Sequence, residues 1–269
     1  MLRYMMDAMS TASAPGVKLL PPHTGSLARG LPQCRPGTLF ALGDRGGISV
    51  QPGTKLDVLF GRNEPEVHVC IGAGDRGVSR QHGLLRHDGR HWTVTNTGRV
   101  PIRMPGSHLL LSGHEEPLAV AYTPLFIRSG RDREHLLEVR VAGKQESSSA
   151  TADEDTLMQP TWDLNERERL VLVALGQRYL RHEAFPQPLS WTLVAEDLAA
   201  LHPEENWTAK RAEHVVSAVR RRLVEHAVRG LTRDEVGEPV GNALNHNLLV
   251  ELLQSTTLVP PDLRLLDGA

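Results

Sequence analysis

Between residues 36 and 143 the chain alternates short apolar runs with turn residues. Thr38–Leu42 is followed by Gly-Asp-Arg-Gly-Gly and then by Ile48-Ser49-Val50, a pattern that suits a hairpin. Similar runs recur at 56–60, 68–71, 83–86, 92–95, 109–111, 118–121, 125–127 and 136–141. Asp88-Gly89 and the stretch 72–75 supply turns between them. Many short strands with no helical stretch between them predict an antiparallel β-sandwich, so the first domain is mainly β. Residues 144–160 hold little to bury and turn acidic in their second half, which predicts a disordered linker. From residue 161 to 269 the hydrophobic period becomes helical, and a mainly α second domain is expected.

Ahead of the sandwich, residues 1–35 are rich in Pro, Gly, Ser and Ala without a sustained period, and are expected to form a flexible leader. In the second domain Asn165 with Glu168 reads as a capping box, opening a helix whose apolar face runs over 170–180. Ser190 can cap a helix over 191–201 and Thr208 one over 209–224, and a short last helix is expected over 247–253. The stretch 231–240, with Gly and Pro, is expected to hold a small β-wing. Three helices with a tight second connection and such a wing resemble a winged helix-turn-helix domain. On the third helix Ala212, Val215, Val216, Val219 and Leu223 share one face. Opposite them stand Lys210, His214, Ser217 and Arg221, flanked by Arg220 and Arg222, as a recognition helix entering a major groove requires. The same face suits a protein partner, and both readings stay open, with a slight lean to DNA.

Charge adds an asymmetry that the net value of -2 conceals. Residues 16–143 carry 16 Lys/Arg against 11 Asp/Glu, and residues 161–269 carry 12 against 16. A basic front half suits an anionic ligand, while an acidic back half opposes simple electrostatic DNA binding. Cys34 and Cys70 show no metal-ligand spacing, and no metal or other cofactor is expected. No run of about 18 apolar residues occurs, and the start lacks a signal-like apolar core, so a cytoplasmic protein with no membrane partner is expected.

The candidate chemistry lies between residues 59 and 83. Phe60-Gly61-Arg62 closes one apolar strand, and Val78-Ser79-Arg80-Gln81-His82 precedes the next, inside a Gly/Asp-rich turn. Arg62 offers a planar fork of donors that fits phosphate, and Ser79 adds a hydroxyl and a main-chain N–H. No nucleophile–base–orienter set accompanies them, so the site is expected to hold an anion without transforming it, and an enzyme is not expected. With Leu84-Leu85 and Trp92-Thr93-Val94, these pieces resemble the forkhead-associated (FHA) domain, a β-sandwich that binds phosphothreonine peptides through loops at one end. With the helical second domain, the arrangement resembles the FHA regulators of actinobacterial type. The resemblance implies that Arg62 and Ser79 bind the phosphate, Arg80 supports it, Gly61 sets the turn and His82 braces the loops. It also implies a phosphothreonine-bearing partner, a Ser/Thr kinase or its substrate. The family's Asn that holds the peptide backbone is absent: the run here is Asn96-Thr97-Gly98-Arg99-Val100-Pro101, with Val or Pro at that position and Arg99 as a substitute contact. The resulting expectation is an adaptor or regulator with an output domain. The alternative is a scaffold whose FHA site is degenerate and whose second domain makes protein contacts.

Overall fold

The computed structural model describes residues 15–130, 133–144 and 161–267. The chain divides into two compact units, Met1–Glu154 and Asp155–Ala269, and the division falls within the expected linker. Most of that linker (145–160) and the start of the expected leader (1–14) lie outside the described residues.

The first unit holds β1 (Val17–Leu20), β2 (Leu39–Gly43), β3 (Gly46–Val50), β4 (Val58–Gly61), β5 (Val69–Cys70), β6 (Gly83–His87) and β7 (Trp92–Asn96). It continues with β8 (Ile102–Arg103), β9 (Leu109–Leu110), β10 (Glu115–Pro117), β11 (Tyr122–Arg128) and β12 (Glu134–Val141). One sheet runs β1-β3-β2-β12-β11-β8-β9 and the other β10-β7-β6-β4-β5. Every ladder is antiparallel except β4–β5. Alternation along each strand sends one set of side chains between the sheets. From β2 and β12 that set is Leu39, Ala41, Leu137 and Val139; from the opposite sheet it is Phe60, Leu85, Trp92 and Val94, all buried. Each such side chain contributes about 1.5–3 kcal/mol when fully buried, and Trp92 also donates from Nε1 to Gly37 O at 2.8 Å.

Two sequence expectations change here. The leader is not mobile throughout: β1 pairs with β3 in register Val17↔Val50 to Leu20↔Gly47. Beyond β1, Ser26 caps a one-turn helix at Leu27–Arg29, and its hydroxyl donates to the buried Glu138 carboxylate at 2.6 Å. The cause is the outward-facing set of the sheet, Phe40, Leu42 and Tyr122, which is apolar and is covered by Leu20, Leu27 and Leu31. The strand expected over 118–121 is instead a connection. Leu118 N–H still bonds Trp92 O at 2.8 Å, but Ala121 N–H folds back to Ala119 O at 2.9 Å, so the strand begins at Tyr122.

The second unit contains α1 (Glu166–Leu180), α2 (Trp191–Leu201), α3 (Ala209–Glu225), α4 (Arg233–Val236) and α5 (Ala243–Gln254). The expected capping box is present: Asn165 Oδ1 accepts from Glu168 N at 2.9 Å, and Glu168 Oε2 accepts from Asn165 N at 3.1 Å. Ser190 and Thr208 cap α2 and α3 as their residue types predict. Val171–Leu175 of α1 are all buried, against Val194 and Leu198 of α2, Val216 and Leu223 of α3, and Leu248 and Leu252 of α5. The wing expected over 231–240 is replaced by α4, and no strand occurs in this unit among the described residues. Glu235 explains the difference. Its Oε2 accepts from the N–H groups of Gly230, Leu231 and Thr232 at 3.1–3.2 Å, gathering the chain into a capped turn instead of releasing those donors to a ladder. No helix among the described residues is long and apolar enough to cross a membrane.

Candidate functional site

The chain leaves β4 at Gly61 and returns to β6 at Gly83, and the two ends of this excursion are tied together. Arg62 N donates to Ser79 O at 3.1 Å, Asn63 N to Arg80 O at 3.2 Å, and His82 N to Phe60 O at 2.8 Å. This approach admits only glycine at position 61. A Cβ there would lie 2.3 Å from Arg80 O and 2.8 Å from His82 N. Gly61 therefore brings Arg62 and Ser79 side by side through their main chains.

His82 has no exposed surface and holds three segments at once. Its Nδ1 accepts from Ser79 N at 3.1 Å, and its Nε2 faces the carbonyl of Val100 at 3.0 Å. A carbonyl only accepts, so Nε2 carries the hydrogen and the ring is neutral. Burial lowers its pKa below the ordinary imidazole value, and the bond to Val100 only partly offsets this. The carbonyl of His82 also accepts from Thr97 N at 3.0 Å and Gly98 N at 2.8 Å. His82 is thus bonded to the segments at Ser79, at Thr97-Gly98 and at Val100.

Sequence reasoning missed Asn96, which is fully buried in the same cradle. Its Nδ2 donates to Val100 O at 3.0 Å and Leu110 O at 2.9 Å, and its Oδ1 accepts from Gly98 N at 2.9 Å. The signal available was an Asn two residues before a Gly at a strand end, which suits an Asx turn. Arg99 N then donates to Ser79 Oγ at 3.3 Å. The loop after β7 and the loop before β6 are in this way fastened to each other. Arg62, Ser79, Arg80 and Arg99 become neighbours around one rim, with Pro101 offering neither an N–H nor an amide side chain.

A third brace also escaped the sequence reading. Asp75 Oδ2 accepts from Ser129 Oγ at 2.6 Å and His135 Nε2 at 2.8 Å, and Oδ1 accepts from Gly77 N at 2.8 Å. Burial would raise the carboxyl pKa, but these hydrogen bonds outweigh it and bring it to about 2. The cluster anchors the loop that carries Ser79 and Arg80 to the β11–β12 hairpin.

Several arginines elsewhere in the sandwich are held in ion pairs. Arg45 pairs with Glu64, Arg86 with Asp57 and Arg103 with Glu134, at 2.6–2.8 Å. Arg62, Arg80 and Arg99 have no carboxylate partner among the described residues, and the buried Nε of Arg62 has no acceptor. An unpaired buried donor costs about 1–3 kcal/mol.

The sandwich is similar to solved FHA domains. The FHA-1 domain of Mycobacterium tuberculosis Rv1747 matches at 19% identity over 40% of this chain and 99% of its own, with a TM-score of 0.32. The N-terminal FHA domain of S. cerevisiae Rad53p, solved in complex with a phosphothreonine peptide, matches at 11% over 40% and 97%, TM-score 0.32. Mycobacterium tuberculosis EmbR, in complex with a low-affinity phosphopeptide, matches at 13% over 43% of this chain and 27% of its own, TM-score 0.29. No protein-family model matches the chain, and no curated protein matches it.

In the helical unit, α3 carries the expected faces. Ala212, Val216, Val219 and Leu223 are buried, and Lys210, His214 and Arg221 are exposed. The flanking cations are engaged inside the unit. Arg222 grips Glu168 at 2.9 Å and Asp163 O at 2.8 Å, while Arg220 reaches Asn245 Oδ1 and Ser217 Oγ, each at 3.3 Å. Ser217 is half-buried and serves Arg220. Glu213 and Glu225, also exposed, stand three and four residues from Lys210 and Arg221, so the face is mixed in sign.

Proposed function

We propose that the first unit is an FHA-type module that captures a phosphothreonine-bearing protein, placing the chain downstream of a Ser/Thr kinase as an adaptor or regulator. The observation that carries this reading is the state of Arg62. A structural arginine finds acceptors within the fold, as Arg140 does at Leu27 O, 2.7 Å away. This one stands beside Ser79 with an orphaned Nε and no acidic partner among the described residues. A phosphate accepts from a guanidinium fork and a hydroxyl together, and so suits this rim, although the Ser79 N–H expected to join them is spent on His82 Nδ1. The test is titration of matched peptides with and without phosphate on one threonine. A charge-assisted contact is worth roughly 1.5–3 kcal/mol, so Arg62→Ala and Ser79→Ala should each weaken binding by about ten- to a hundredfold. Equal affinity of the wild type for both peptides ends the proposal.

The helical unit supplies the output in this reading, and protein docking through the exposed face of α3 is favoured over DNA. Glu213 and Glu225 interrupt the cations of that face, and Arg220, Arg222 and Ser217 are occupied within the unit. A scaffold with a degenerate phosphopeptide site is the rival, and Val100 or Pro101 at the position of the family's Asn is the feature that favours it.

A further inference from the structure

We propose that Ser26 is a phosphorylation site, and that a phosphate there releases residues 21–35 from the outer face of the first sheet. This segment follows β1, whose ladder with β3 ends at Leu20. Beyond that point the main chain bonds locally, Thr24 N to Pro21 O at 2.9 Å and Arg29 N to Ser26 O at 3.1 Å. Its Leu27, Leu31 and Cys34 pack on Phe40, Leu42 and Tyr122. The segment is a strap laid across a finished sheet, and it can lift without breaking a strand pairing. Gly25, Arg29 and Gly30 stand exposed along it and Ser26 is half-buried, so a small lift presents the hydroxyl to an enzyme.

The fastening is polar and centres on one carboxylate. Glu138 of β12 is 3% exposed, and its Oε2 accepts from Ser26 Oγ at 2.6 Å and from Tyr122 Oη at 2.9 Å. Ser26 Oγ itself accepts from Ala28 N at 3.2 Å, so its single hydrogen is committed to Glu138. Tyr122 keeps its proton, because burial and the neighbouring Glu138 push its pKa well above the ordinary value. A Ser/Thr kinase would move the terminal phosphoryl group of a nucleoside triphosphate onto Ser26 Oγ. The new P–O bond forms as the bond to the departing nucleoside diphosphate breaks, and the hydroxyl proton is released. That proton is the one Glu138 receives. In its place stand acceptor oxygens bearing about 1.5–2 negative charges, against a carboxylate shut away from water. Repulsion adds to the lost bond, and the strap is the side that can move. Glu138 cannot, since β12 is paired on both edges, with β2 and β11. Lifting the strap hydrates both anions and uncovers Phe40 and Leu42.

Two thiols report the movement. Cys34 packs in the strap's cluster, and Cys70 is buried in β5. The whole chain is prepared with phosphoserine at position 26, and maleimide labelling of each cysteine is followed by mass spectrometry of its peptides. Phosphorylation should speed the labelling of Cys34 by about ten- to a hundredfold, the range for stripping a buried polar group of its partner. Cys70 should keep its wild-type rate. Ser26→Ala removes the donor without adding charge, and should speed Cys34 less than the phosphate does. Glu138→Gln in the phosphorylated chain should bring the rate most of the way back, because the like charge is gone. An unchanged rate at Cys34 on phosphorylation overturns the proposal. So does a slower one, which would mean that Arg140, now bonded through Nη1 to Leu27 O at 2.7 Å, takes the phosphate and tightens the strap. Equal acceleration of both thiols overturns it as well, since the sandwich would then open as a whole. If Ser26→Ala matches the phosphorylated chain, or Glu138→Gln restores nothing, charge does not work the latch and the proposal falls.

Discussion

The amide of Ser79 donates to Nδ1 of His82 at 3.1 Å, and this one bond sets the protonation state of the site. The acceptor nitrogen cannot carry a proton while the bond lasts, so the hydrogen sits on Nε2 and points at Val100 O. A proton added to Nδ1 would face the Ser79 N–H, donor against donor. The loop that presents Ser79 would lose its brace.

A pH dependence follows, with its sign set by burial. The pKa of His82 is lowered in the folded protein, so between that value and the ordinary imidazole value near 6.5 the unfolded chain binds a proton that the native one refuses. Stability is therefore complete above about pH 6.5 and falls as the pH drops through that value towards the folded pKa. His68, also lowered by burial, acts in the same direction. We expect denaturant titrations of wild type and His82→Asn to differ by an amount that narrows between pH 7 and 5. A constant difference would mean that His82 has the same pKa in the folded and the unfolded chain.

Gly61→Ala should be far more costly than its single methyl suggests. The new Cβ would sit 2.3 Å from Arg80 O, which is main chain and cannot rotate aside. Either β4 separates from the returning loop or the strand end shifts. We expect a loss of about 1–3 kcal/mol, the usual scale of overpacking, together with loss of phosphopeptide binding. Circular dichroism melts and peptide titration check it, and a variant that binds like the wild type would show that the approach of the two chains is not needed.

Asp75 gives a second handle on the same loop from its other end. Its carboxyl is held at about 2, below the ordinary value near 3.9, so its contribution is fully present above about pH 4 and is lost as the pH falls towards 2. Asp75→Ala should cost on the order of 2 kcal/mol at neutral pH, by leaving Ser129, His135 and Gly77 N without their acceptor. Its stability should converge on that of the wild type under acid. A difference that persists unchanged at pH 2 would assign the effect to packing instead.

What could be read along the chain was what is local to it. Gly61, Arg62, Ser79 and His82 lie in two short runs next to strands whose alternation is plain, and the caps Asn165, Ser190 and Thr208 announce themselves within three residues. Two of the misses share a cause: they depend on partners far off in sequence. β1 is only four residues long beside Pro21-Pro22, and nothing near it discloses that β3 and the apolar outer face of β2 need cover. Asp75 meets Ser129 and His135 across 54 and 60 residues. Asn96, whose turn with Gly98 is local, and α4 are exceptions. Thr232 with Glu235 is a local capping signature, and the neighbouring Gly and Pro residues obscured it.

The exposed face of α3 offers the remaining test. If Lys210, His214 and Arg221 entered a groove, binding would weaken with salt at a log–log slope of about -0.9 per phosphate neutralised. Few cations are free to do so. Arg222 holds Glu168 and Arg220 holds Asn245, and Glu213 and Glu225 would face the same phosphates. We therefore expect the protein to leave DNA fragments unretarded in a low-salt mobility-shift assay. Lys210→Ala with Arg221→Ala should unfold within about 0.5 kcal/mol of the wild type, because neither residue touches the Ala212–Val216–Leu223 stripe. The double variant should instead lose a co-purifying protein that the wild type retains. Retardation of DNA by the wild type that the double variant abolishes would reverse the assignment, because only a groove contact makes these two cations carry a DNA complex.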